Sequence, residues 1–326
     1  MVDHALSAGL PMTVPQHRHA PDPGFYALLL GATFLMGSSF IAGKILLSQG
    51  VPAILLVGWR FLVAALATLP LLLASRRPLG RALWPAGMHW RHVPLVGLIG
   101  LLQTAAVMGL LFVGMRTIPA AAAAILLFSN PIWVALLGRV FLRERLGMLR
   151  FSGLLLGMAG VALAIGPGAL LQGQRAALSG ELCCLGAAVC WAAATTVNKR
   201  AALPIGGLAL NFWQMLVGAL VLLALARAGG ERWPAGFTLA DWGWFAWLAM
   251  PASAGSFGLW FVALRRGGAT HASGWLFLAP LFAVLLSFVV LHTTLAPSQW
   301  LGGAAIAGGL WLVNRAPRAG SPPAAA

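Results

Sequence analysis

Arg60 stands inside an apolar run, "ILLVGWRFLVAALATLPLLL" from Ile54 to Leu73. A guanidinium in hydrocarbon costs at least about 2.5–3.5 kcal/mol, so this one must face a cavity or a partner. Its planar fork of donors suits the carboxylate of a bound small molecule. The competing readings are a tether to backbone carbonyls of a neighbouring helix and a side chain that snorkels outward. Small polar residues recur at comparable depth in other apolar runs: Ser38 with Ser39, Gln103 with Thr104, Ser129 with Asn130, and Ser253 with Ser256. Singly, each reads as glue between helices; as a set they describe a weakly polar, uncharged lumen. Trp191 and Trp275 lie well inside their runs and either wall a site for an apolar side chain or simply pack. Pro131 and Pro280 are expected to kink their helices and leave the carbonyls of Leu127 and Leu276 poorly satisfied. His271 lies near the end of its run, where it can carry a coupling proton near neutral pH or sit at an interface.

Nucleophilic chemistry is the rival. "AGSFG" at Ala254 to Gly258 approximates the Gly-x-Ser-x-Gly elbow, and His271 follows it. The elbow works at a strand-to-helix turn, though, and means little inside a continuous helix. No third group orients the histidine, and HExxH is absent, so the chain does not read as an enzyme. Cys183, Cys184 and Cys190 fall in one apolar run and form neither a disulfide framework nor a metal site. "HRH" at His17 to His19 belongs to a polar tail. No cofactor and no metal is expected.

The elements that must hold these residues follow from composition. The 326 residues are 60% hydrophobic and only 8% charged, whereas soluble domains carry about a quarter charged. Windows of about 19 residues pick out apolar segments at roughly 25–47, 51–75, 94–115, 117–140, 146–166, 179–198, 206–226, 243–264, 268–291 and 297–314. The expected fold is an all-α polytopic membrane protein of ten transmembrane helices. The net charge of +15 sits in short loops without a basic stripe, which points to lipid and cytoplasm rather than nucleic acid. Residues 1–24 and 315–326 read as disordered tails.

Lys and Arg favour the cytoplasmic side of short loops. With the amino terminus inside, that side holds Arg18, Arg76, Arg77, Arg81, Arg91, Arg139, Arg143, Arg145, Arg150, Lys199, Arg200, Arg265, Arg266, Arg315 and Arg318. The other side holds only Lys44, Arg116, Arg175, Arg227 and Arg232. Both termini are therefore expected in the cytoplasm. A shift of 155 lays Gly31, Ala32 and Lys44 on Gly186, Ala187 and Lys199; a shift of 154 lays Trp59, Leu62 and Val63 on Trp213, Leu216 and Val217. A shift of 149 carries the third to fifth spans onto the eighth to tenth, with Pro131 on Pro280, Gly153 on Gly302 and Gly160 on Gly309. Each repeat holds five spans. Five is odd, so the second repeat enters from the opposite side, the arrangement behind alternating access.

"MGSSFIAGK" in the first span, "GWRFLVAALATLPLLL" in the second and "LLFSNPIWVALLGRVFLRERLGMLRFSGLLLGMAGVALA" from Leu126 to Ala164 resemble the EamA branch of the drug/metabolite transporters. "AAVCWAAATTVNKRA" and "FLAPLFAVLLSFVVL" in the second repeat are similar to it as well; Thr293 stands where that family often has Glu. The resemblance implies repeats over 25–166 and 179–314, a periplasmic linker over 167–178, and a bacterial inner-membrane exporter of amino acids or other small metabolites. It also implies a cavity lined by spans 1, 3, 4, 6, 8 and 9, where the polar set lies. Direction is open between export and import, and dimer formation is open too. No intramembrane Asp is present, so either Glu144, Glu181 or His271 couples protons from the rims or transport runs down the substrate gradient. A channel is disfavoured, because no ring of charges or carbonyl filter is present.

Overall fold

A computed structural model describes residues 23–74, 78–141, 147–165 and 175–315. Among the described residues all regular structure is helical. The helices are α1 (Pro23–Ser48), α2 (Ala53–Leu73), α3 (Trp90–Gly114), α4 (Ala120–Phe141), α5 (Met148–Ile165), α6 (Arg175–Ala201), α7 (Gly207–Ala228), α8 (Leu239–Leu264, continuing helically to Ser273), α9 (Leu278–Leu291) and α10 (Pro297–Arg315). A short turn, Leu79–Leu83, follows α2. Seven of these, α1 to α4 and α6 to α8, are long and apolar enough to cross a membrane; apolar stretches of α5 and α9, Phe151–Ala164 and Leu278–Leu291, are shorter. Helices apolar all round satisfy their backbone internally and suit lipid. The protein is a multi-pass membrane protein.

Local chemistry sets the ends. Pro52 and Pro119 sit just before α2 and α4, where a missing N–H costs nothing. Thr238 and Asp241 cap α8 reciprocally: the Asp241 N–H donates to Thr238 Oγ1 (3.2 Å) and the Thr238 N–H to Asp241 Oδ2 (2.9 Å). Gly230, at a φ of 67°, follows α7 in a conformation that glycine adopts without strain.

Two expectations need correction. Pro131 and Pro280 do not bend continuous helices. The α4 helix stops at Leu127 and restarts at Asn130, with Pro131 its second residue; a 3₁₀ turn, Gly274–Phe277, precedes α9, with Pro280 in its first turn. Proline fits there because first-turn N–H groups lack helical partners anyway. Nor do the segments expected at 243–264 and 268–291 separate at 265–267: helical bonding persists to Ser273. Leu264 and Trp275, on either side of this junction, both pack on the Phe25, Leu29 and Ala263 cluster.

The repeats are related by a twofold exchange. α1 packs on α8 and α9, and α6 packs on α3 and α4; α2 pairs with α7 and α5 with α10. A methyl group added at Gly160 would meet Gly302 O at 2.8 Å, and one added at Gly309 would meet Gly153 O at 2.5 Å. The 149 shift turns the first contact into the second. The helices also run oppositely. Lys44, near the end of α1, bonds Met115 and Ile118, whereas Gly180, near the start of α6, packs on Gly114 and Ile118. The fold is thus a pair of inverted repeats.

Candidate functional site

Within α3 and α8 the helix widens to a π form, over Leu101–Ala106 and Met250–Gly255. The two segments coincide under the 149 shift, although their sequences, "LLQTAA" and "MPASAG", share little. An extra residue in a turn rotates every side chain downstream of it, and such bulges cluster at functional sites. In α8 the widening leaves the Leu248 carbonyl to the Ser253 hydroxyl, which donates to it at 2.8 Å. Ser253 Oγ then accepts from Arg60 Nε of α2 at 2.8 Å. In α3 the widening sets Thr104 against Gly218 of α7, where no side chain larger than hydrogen fits.

Arg60 is 4% exposed. Its guanidinium carbon lies 4.7 Å from the Phe61 ring centroid and 5.4 Å from that of Phe112. No described residue accepts from its two terminal nitrogens. Arg60 borders a cavity of about 200 Å³ between the repeats, which is also lined by Ser39, Gln103, Trp191 and Ser256. Apolar walls come from Phe40, Phe112, Phe128, Phe257, Trp260 and methionines 36 and 108. Phe128, in the α4 break, stacks edgewise on Trp191 with centroids 5.8 Å apart.

The expected polar set therefore divides. Arg60, Gln103, Trp191 and Ser256 line the cavity, and Ser253 positions Arg60 from behind. Ser38 points elsewhere, accepting from Trp247 Nε1 at 3.0 Å. Thr104 faces α7. Ser129 is fully buried, donates to Leu126 O at 2.6 Å and accepts from Trp133. Asn130 is 7% exposed, and its buried Nδ2 makes no hydrogen bond to a described residue. Trp275 packs against Tyr26, with ring centroids 5.3 Å apart, and does not line the cavity, while its neighbour Leu276 does. The His271 side chain lies outside the described residues. Ser256 Oγ donates into its own helix, to Ala252 O and Ser253 O, both at 2.9 Å.

Sequence reasoning named Ser39 only beside Ser38, without choosing between them, and missed the apolar partners that share its face, Met36 and Phe40, and the triplet Met108–Leu111–Phe112. Their i, i+3, i+4 spacing marks one helix face, but it is the same spacing that ordinary packing uses.

The ends of the cavity differ. At one end Lys44 Nζ reaches from α1 to the α3–α4 connection and donates to Met115 O (2.6 Å) and Ile118 O (2.9 Å), with Phe40 and Gly43 buried. The equivalents of Phe40, Gly43 and Lys44 at the opposite end are Thr195, Asn198 and Lys199 of α6, and all three are exposed.

The model of the EamA-like transporter family matches residues 24–166 and 178–315. The chain is 28% identical to an uncharacterized transporter of Synechocystis sp. over 88% of each chain. It is 27% identical to a WAT1-related chloroplastic protein of Arabidopsis thaliana over 89% of this chain and 69% of that one. It is 25% identical to the uncharacterized transporter YoaV of Bacillus subtilis over 87% and 94%. A solved crystal structure has the same fold, with a TM-score of 0.60 at 21% identity, covering 89% of this chain and 96% of that one. Two inverted helical repeats around one cavity, matched across nearly their whole length, place the chain in the EamA-like transporter family.

Proposed function

We propose that the protein is a secondary transporter of the bacterial inner membrane that exports a small amphipathic metabolite by alternating access, with amino acids and their derivatives the leading class. The observation that carries this reading is the unequal pair of ends on one cavity built from equivalent helices. Two inverted repeats can exchange shapes, so whatever closes one end in one state closes the other end in the next. The Lys44 clamp is the closed end here. Loop charge assigns that end to the outside, so this state opens to the cytoplasm and is ready to load. Gln103, Ser256 and Arg60 supply polar contacts for one end of the substrate, and the aromatic and methionine walls take its apolar part.

The experiment is a metabolite comparison of culture medium from deletion and overexpression strains. Export predicts one or a few small compounds that fall in the medium on deletion and rise on overexpression. A compound depleted from the medium by overexpression instead means import; no change in either strain sinks the carrier reading.

A further inference from the structure

We infer that the cavity takes its substrate as a monovalent carboxylate anion without an ammonium group, and so prefers simple organic acids, or amino acids with a blocked amine, to free amino acids and amines. This rests on the carrier reading and, within the class proposed there, sets organic acids and amine-blocked derivatives above free amino acids. Arg60 brings a full positive charge to a site only 4% exposed. Among the described residues its hydrogen-bond partner is the Ser253 hydroxyl, which is neutral and whose own proton is spent on Leu248 O. The Phe61 and Phe112 rings offer their negative faces but no countercharge.

The chain has six acidic residues in all. The Glu231 carboxylate accepts from the Leu55 N–H at the start of α2 (2.8 Å), and Asp241 caps α8. Glu181 is buried on α6, and its Oε2 bonds no described residue; it lies about one turn from Cys184, which touches the cavity-lining Leu111, but does not itself line the cavity. Asp3, Asp22 and Glu144 fall outside the described residues, in the amino-terminal tail and the α4–α5 connection. Among the described residues no acidic side chain lines the cavity. The loaded site is therefore neutral only with a single negative charge. A carboxylate can bridge both terminal nitrogens of the guanidinium in the two-bond geometry that makes such pairs strong. A zwitterion gains the same pair but must bury an ammonium that finds Gln103 Oε1, hydroxyl oxygens and aromatic faces but no carboxylate among the described lining residues, and burying a charge without its counterion is costly. An amine adds a second like charge beside Arg60.

The test uses three probes on one skeleton, 3-phenylpropionate, phenylalanine and phenethylamine, with the full-length protein in lipid nanodiscs. Binding is read by calorimetry and by the total tryptophan fluorescence, to which Trp191 and Trp260 of the cavity contribute. The expected order is 3-phenylpropionate at least tenfold tighter than phenylalanine, with phenethylamine unbound. Arg60→Gln abolishes binding of 3-phenylpropionate; Arg60→Lys keeps the order at lower affinity, and a thermal melt reports whether each variant is folded. Should Arg60→Gln fail to fold, the ranking on the native protein and on Arg60→Lys still decides. Phenylalanine binding as tightly as 3-phenylpropionate, absence of 3-phenylpropionate binding, or an unchanged ranking in folded Arg60→Gln overturns the inference. An exported compound bearing a free ammonium would sink this inference while leaving the carrier reading intact.

Discussion

Leu28 to Lys44 and Cys183 to Lys199 are one sequence pattern in two environments. In α1 the last turns are enclosed: Phe40 and Gly43 are buried, and the Lys44 ammonium is tied to two carbonyls of the α3–α4 connection. In α6 the matching Thr195, Asn198 and Lys199 are exposed. Equivalent sequences in a symmetric assembly should be equally buried. That these are not means the symmetry is broken at the ends while it holds elsewhere, since the α5–α10 contact and the paired π turns keep it. The molecule is thus a symmetric frame with unequally buried ends, the asymmetry that the proposed two-state carrier requires.

The largest effect should come from breaking the frame itself. In Gly302→Leu, the first carbon of the side chain falls 2.6 Å from Gly160 O and 2.5 Å from Ala164 N, both backbone atoms that cannot swing aside. The α5–α10 pair must separate, at a cost at or above the roughly 1–3 kcal/mol of ordinary overpacking. Size-exclusion chromatography should show loss of the monodisperse protein. A normal profile would mean that the symmetric contact is dispensable.

Next comes the clamp. Lys44→Gln removes a charge-assisted pair of bonds to Met115 O and Ile118 O, each worth about 1.5–3 kcal/mol when the donor is charged. Cys184, fully buried beside this end, should then react with a membrane-impermeant thiol reagent about tenfold faster in a Cys183→Ser, Cys190→Ser background. An unchanged rate would deny Lys44 a gating role.

How much of this is legible in the sequence depends on the kind of information. The inverted repeat can be read because an odd number of spans and a three-to-one loop bias need only hydropathy and charge. The faces cannot. An all-apolar helix carries no stripe to say which side meets a cavity, and one residue turns the side chain by about 100°. The expectation therefore cannot choose between Ser38 and Ser39, of which Ser39 lines the cavity, and falls on Trp275 where Leu276 lines it. The π turns compound this by shifting the helical phase midway along α3 and α8, and neither "LLQTAA" nor "MPASAG" announces one. Arg60 is legible because a charge inside an apolar run demands an explanation on cost alone.

Smaller effects sharpen the division among the polar residues. Gln103→Leu should lower transport about fivefold, or about 1 kcal/mol, with expression unchanged, because the residue borders the cavity and has no other hydrogen-bond partner among the described residues. Efflux from vesicles at the native rate would remove it from the site. At the bottom of the scale is Gly97→Ala on α3, where an added methyl meets nothing within 4 Å. Better helix propensity should stabilise this variant by up to about 1 kcal/mol, and the melting temperature in detergent checks it; a drop would show a packing partner at that face.

The most direct test of the inverted arrangement uses Gln49 and Pro204, equivalent positions just past α1 and α6 under the 155 shift. Each is changed singly to cysteine in protein lacking Cys183, Cys184 and Cys190, and labelled with an impermeant maleimide in right-side-out and inside-out vesicles. The account predicts Gln49→Cys labelled in right-side-out vesicles only and Pro204→Cys in inside-out vesicles only. Labelling of both from the same side would contradict it.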